Sequence, residues 1–234
     1  QIMSIMETAF AQLQQGLHQE ALATLTQVIA NEPENWNAMY LAGFCYQSDD
    51  QLPSAIRYFE MATQISQCEP FVWTALGIAW QLREDFPNSV AALKTSIKKN
   101  PSDFESRNSL GLTYKKMGEF RRANDSYEVA AQLLSDEAHR IAKDQGMTNV
   151  SDSSDGERTY AVESDYMEFV GNWLRHDGRY SIVMNNIGNA YLGLEDSENA
   201  RDAFFESIEM TPPNTSYQSP HDGLSSLGIK YSDD

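Results

Sequence analysis

Much of what this chain could be is excluded by what it lacks. No apolar run approaches the roughly 18 residues that a membrane-spanning helix needs, and its opening residues do not read as a signal peptide. Cysteine is scarce: Cys45 and Cys68 make no disulfide framework, which fits a reducing compartment and a cytoplasmic location. Bases are outnumbered, 17 against 34 acids for a formal charge of −17. That balance argues against nucleic acid as a partner, since such binding draws on Lys and Arg neutralising phosphates. Strand periodicity is missing throughout, and so are a phosphate-binding loop and a GxGxxG fingerprint. The four histidines, His18, His139, His176 and His221, show no metal-ligand spacing. An EF-hand loop counted back from Gly156 would put Ser151 and Ser153 at the first and third ligand places and Val162 at the last, so that motif is absent too. These absences point to a non-enzymatic protein that needs no cofactor and no metal.

What is present is a core-forming composition, 41% hydrophobic and 11% aromatic, and a repeat. Small residues recur at Ala9, Gly43, Gly77, Gly111, Gly188 and Gly228, spaced by 34, 34, 34, 77 and 40. An aromatic follows three places later at Tyr46, Trp80, Tyr114, Tyr191 and Tyr231. Twelve places after the small residue comes another, in Ala21, Ala55, Ser89, Ala123 and Ala200. A large residue follows four further on, in Leu25, Phe59, Leu93, Tyr127 and Phe204. Steps of three and four put these columns on single helical faces. A glycine facing an alanine would let two antiparallel helices approach closely, with the aromatic filling the remaining volume. Gly118 falls where a left-handed turn residue is wanted, and prolines at Pro33, Pro101 and Pro212 close units.

These columns resemble the tetratricopeptide repeat, most closely from Ser109-Leu110-Gly111-Leu112-Thr113-Tyr114 through Phe120, Ala123, Tyr127 and Ala130. The resemblance implies an all-α, helix-turn-helix solenoid, a right-handed superhelix of about five to six repeats with one insertion, forming a single domain over 1–234. Repeats are expected at about 2–35, 36–69, 70–103, 104–137 and 181–214, with a partial repeat at 221–234. Over 138–180 the arithmetic favours a degenerate repeat plus an insertion. Its first helix would hold Ala138, Ile141 and Ala142, its second Tyr160, Tyr166, Phe169, Val170, Trp173 and Leu174, with a mobile polar loop at 149–158 between them. The alternative is that the second helix of the fourth repeat runs on to Lys143 and one extra helix follows.

In the family the first helix of each unit lines a concave surface. Carried over, that surface holds Met6, Phe10 and Leu13 in the first repeat and Tyr40, Phe44 and Gln47 in the second. The third contributes Phe71, Thr74 and Ile78, the fourth Glu105, Asn108, Lys115 and Lys116, and the fifth Asn185 and Asn189. An apolar, Met- and aromatic-rich strip of this kind suits a peptide or protein ligand. The clamp with which co-chaperone repeats hold acidic tails is absent, since Met6, Phe10, Phe71 and Ala75 occupy its places. Residues 8–82 are more similar to class II chaperones of type III secretion. The resemblance thus implies a scaffold or chaperone-like adaptor. Self-association, through repeat faces or through the insertion, is the alternative role.

Overall fold

The computed structural model describes residues 2–147, 156–212 and 219–229, with side chains from residue 5 and, in the second stretch, from residue 166. Its described residues are helical throughout their regular structure, as the repeat spacing predicts. The chain falls into two compact units, residues 1–113 and 114–234.

Antiparallel helix pairs build the first unit: α1 (Ile2–Gln14) with α2 (His18–Asn31), α3 (Trp36–Ser48) with α4 (Leu52–Thr63), and α5 (Pro70–Leu82) with α6 (Phe86–Lys99). Helix α7 (Phe104–Lys116) follows. Local chemistry sets the starts. Asn35 caps α3 by accepting from the Ala38 N–H at 3.0 Å, and Asp85 caps α6 by accepting from the Asn88 N–H at 3.3 Å. Pro70 opens α5, where a missing N–H costs nothing.

The stops are equally regular. At the end of α5 the Glu84 N–H donates to Gln81 O at 3.0 Å and the Asp85 N–H to Trp80 O at 2.9 Å, the paired bonds of a Schellman turn. Such a turn needs a left-handed residue, and Gly118 supplies it at φ +76°, as its position in the sequence predicts. Gly16 does the same. Asp50, Glu84 and Glu195 hold the equivalent places with φ between 58° and 64°.

Within a pair, what lies nearest the small position is the large column. Gly43 lies against the Phe59 ring, Gly77 against Leu93, and Gly188 against Phe204. The glycine accommodates the large column directly, and the alanines Ala21, Ala55 and Ala200 are fully buried.

The second unit contains α8 (Phe120–Asp144), α9 (Gly156–Asp177), α10 (Arg179–Gly193), α11 (Ser197–Glu209) and α12 (Ser219–Ser226). Here the path over 138–180 is the alternative one. Helix α8 runs unbroken for 25 residues, so Ala138 and Ala142 are buried on its own continuation and no separate helix begins at 138. Its stripe through Ala123, Tyr127, Ala130, Leu134, Ala138 and Ala142 is apolar at steps of three and four, and nothing in the segment breaks a helix. Helix α9 buries Tyr166, Val170 and Leu174 and packs on α8 and α10. It starts at Gly156, inside the expected loop; residues 149–155 lie outside the described residues.

The last helix differs in register from expectation. Gly228 ends it with φ +75°, its N–H donating to Ser225 O and the Ile229 N–H to Leu224 O. The glycine that meets Phe204 from α12 is Gly223. Tyr231 lies outside the described residues.

Candidate functional site

Two helices of the first unit present a common aromatic face. On α3 the steps of four and three bring Tyr40, Phe44 and Gln47 to one side, and on α5 the steps of three and four do the same for Phe71, Thr74 and Ile78. With Glu105 from α7, these six side chains rim a pocket of about 160 Å³, which Phe59 and Ala75 also line. The Phe71 ring meets Tyr40 edge-on at 5.0 Å and Trp36 at 5.9 Å, while Tyr40 lies 5.9 Å from Phe59. These separations are those of favourable aromatic pairs. The rings therefore hold each other in place, yet Phe44 and Phe71 keep 44% and 43% of their surface exposed.

Under the aromatic rim sits a polar network. Thr74 shares hydroxyl contacts with Ser96 at 2.8 Å and Ser106 at 2.7 Å, and donates to Asp103 Oδ2 at 3.2 Å. Ser106 also donates to Asp103, and Ser96 to the Pro70 carbonyl. Nearby, the Gln81 amide reaches Thr113 Oγ1 at 2.7 Å and the Ser109 carbonyl at 3.1 Å. Hydroxyls thus join α5 to α7 where an apolar seam would be usual. They hold the Phe71–Thr74–Ile78 face of α5 in register with Glu105.

Among the described residues Glu105 is the one carboxylate or ammonium-type group on the rim. Glu105 is exposed, but partial desolvation at the pocket's edge, and then the neighbouring charge of Asp103, raises its carboxyl above the usual glutamate range. Burial, and then Glu105, raises the Tyr40 hydroxyl in turn.

The expected surface residues divide. Tyr40, Phe44, Phe71 and Ile78 come together around the pocket. Met6 and Leu13 are half-buried and pack on the α1–α2 core, whereas Phe10 is 44% exposed. Asn108 is half-buried and does not line the pocket. In the second unit, Lys116 is exposed and Lys115 half-buried, its ammonium pKa lowered by burial and then by Lys116. Asn185 is no open surface residue. It is buried, and its amide donates to Ser219 Oγ at 3.1 Å, so the chain's own α12 occupies that place. Asn189 is half-buried and turns its amide back to the Asn185 carbonyl at 2.8 Å. Sequence columns mark Phe59 only as core; that it also lines the pocket depends on how α3 and α5 splay above it.

Among the described residues no group of three or more His, Cys, Asp or Glu is placed to hold a metal ion, and no helix is long and apolar enough to cross a membrane. Cys45 is buried and its thiol is pushed up to about 11 by burial, then by Asp49. A thiol so held is a poor nucleophile.

Comparison with known proteins agrees with this geometry. The tetratricopeptide repeat family matches residues 12–76, which include α3 and half of α5, and again residues 182–214. The BBSome complex member BBS4 of Bos taurus is 23% identical over 180 residues, covering 75% of this chain. That match spans only 34% of the relative's own length. Among solved structures, one of MamA superposes with a TM-score of 0.64 at 16% identity, covering 99% of this chain and 97% of that one. YrrB, described as a TPR protein with an unusual peptide-binding site, gives 0.64 at 15% identity, covering 98% and 93%. MamA of Desulfovibrio magneticus RS-1 gives 0.65 at 13% identity, covering 89% and 94%. These likenesses are of fold.

Proposed function

We propose, on the premise that this chain is a tetratricopeptide repeat protein, that it is a non-catalytic binding module holding a segment of a protein partner against α3 and α5. The role is that of an assembly scaffold or chaperone-like adaptor. One observation carries the reading. Phe44 and Phe71 stand beside the same pocket, each more than two-fifths exposed, although large aromatics gain most from burial. An exposed apolar patch around a preformed opening supports a docking surface, and a partner covering both rings would complete it. Phe10 and the half-buried Met6 and Leu13 extend the apolar strip along α1. The description of YrrB as having a peptide-binding site, and of BBS4 as a member of a complex, accords with a binding role.

The test is site-specific photo-crosslinking. A benzophenone amino acid replaces Phe44 in the pocket or Met167, 53% exposed, in the second unit. Adducts to a distinct protein from position 44, absent from position 167 and lost on Phe71→Ala, are the expected result. Identical adducts from both positions would remove the proposal, and adducts to another copy of this chain alone would replace it with self-association.

A further inference from the structure

The chemistry of the pocket selects among partner side chains. We infer that it takes the side chain of a lysine or arginine from the partner segment, with the methylenes lying against Tyr40, Phe44 and Phe71 and the charged end at Glu105. This rests on the docking reading above and names its occupant.

Size comes first. A volume of about 160 Å³ is well below the roughly 300–1,000 Å³ of small-molecule sites, and matches a single inserted side chain. Shape and surface come next. Aromatic walls suit an apolar chain and also a cation, because ring faces carry negative potential. A long basic side chain has both features, an alkyl stem and a charged tip.

Charge then decides between a basic and a purely apolar occupant. Glu105 lines the pocket, and among the described residues none of the ion pairs involves it. Its neighbour Asp103 is already engaged by Thr74 and Ser106, so Glu105 is the carboxylate left for a ligand. Glu105 is exposed and open to a ligand; partial desolvation and Asp103 disfavour its charge, and an incoming ammonium or guanidinium would offset both. A leucine in the same space would instead desolvate the carboxylate with no compensation. The wider field has the same sign. The first unit, residues 1–113, holds 12 acids and six bases, and up to residue 82 a single base, Arg57. Such a surface draws basic segments and repels acidic ones.

The experiment uses random nonapeptides displayed on phage and selected against the full chain, followed by solution affinities of the selected peptides. Peptides retained by the wild type and lost on Phe71→Ala are expected to share a Lys or Arg. Changing that residue to Leu should weaken binding about tenfold, and changing it to Glu should weaken it further. Glu105→Gln should weaken the basic peptide about tenfold and leave its Leu version equally or more tightly bound, the signature of a direct pairing rather than a general loss of fold. Peptides that are lost on Phe71→Ala but carry no basic residue, or that bind Glu105→Gln equally well, would overturn the inference while leaving the docking surface intact. Selected peptides indifferent to Phe71→Ala and Phe44→Ala would overturn both.

Discussion

The ring of Phe59 lies so close to Gly43 that a β-carbon there would come within 2.6 Å of Cε1. Phe59 is itself buried, so the ring cannot swing into solvent. Gly43→Ala must therefore displace it or separate α3 from α4, at an expected cost of about 1–3 kcal/mol. Gly188→Ala should behave alike against Phe204, where the same closeness recurs. Gly171 in α9 has nothing within 4 Å among the described residues, and Gly171→Ala should stabilise by about 0.5–1 kcal/mol through helix propensity. Urea midpoints of the three variants check this; loss at Gly171 or tolerance at Gly43 would contradict it.

The helix turns make a second pair of expectations with opposite signs. Glu84 and Glu195 sit at φ +64° and +61°, a conformation that costs a side-chain-bearing residue about 1–2 kcal/mol. Glu84→Gly relieves that strain against a larger unfolded-state entropy, and a net gain of about 0.5 kcal/mol is expected. Gly118→Ala introduces the strain and should lose about 1 kcal/mol. Thermal or urea unfolding of the two variants side by side decides the matter.

Stability at alkaline pH is set by buried neutral groups. Burial raises the Tyr127 hydroxyl well above its ordinary 10.0, and burial, then Asp49, lifts the Cys45 thiol from 9.0 to about 11. Both are raised relative to the unfolded chain. Their contribution is complete below the unfolded values and is lost as pH climbs from about 9 through the folded ones. Unfolding free energy should thus fall above pH 9. Tyr127→Phe should flatten the portion above pH 10. It should cost little at pH 7, since the Tyr127 hydroxyl has no hydrogen-bond partner among the described residues, and removing a buried unsatisfied group is close to neutral. A steep loss at pH 7 would show that the hydroxyl is satisfied after all.

Helix α12 is expected to hold α10 and α11 in place. Leu224 is fully buried against Ala200 and Phe204, and Leu224→Ala should cost about 2–5 kcal/mol by leaving a cavity. Hydrogen exchange should quicken in α10 and α11. Unchanged protection there would mean that α12 is an appendage.

The repeat arithmetic determined which residues share a helical face and where turns such as Gly118 fall, and the resemblance it revealed to the tetratricopeptide repeat implied the all-α class and the pairing of helices. The first two follow from local periodicity: steps of three and four define a face, and a left-handed residue such as Gly118 ends a helix whatever lies around it. The aromatic face of α3 and α5 was legible through that resemblance, since the family's surface positions fall on Tyr40, Phe44, Phe71 and Ile78 here. Tertiary packing decided the remainder. Helix α8 runs on because burial of Ala138 and Ala142 rewards continuation. Asn185 is closed off because Ser219, 34 residues away, folds back over it. Phe59, which the columns mark only as core, comes to line the pocket with Phe44, Phe71 and Glu105. Contacts so far apart in the chain leave no periodic trace, because they depend on where whole helices come to rest rather than on the spacing within one.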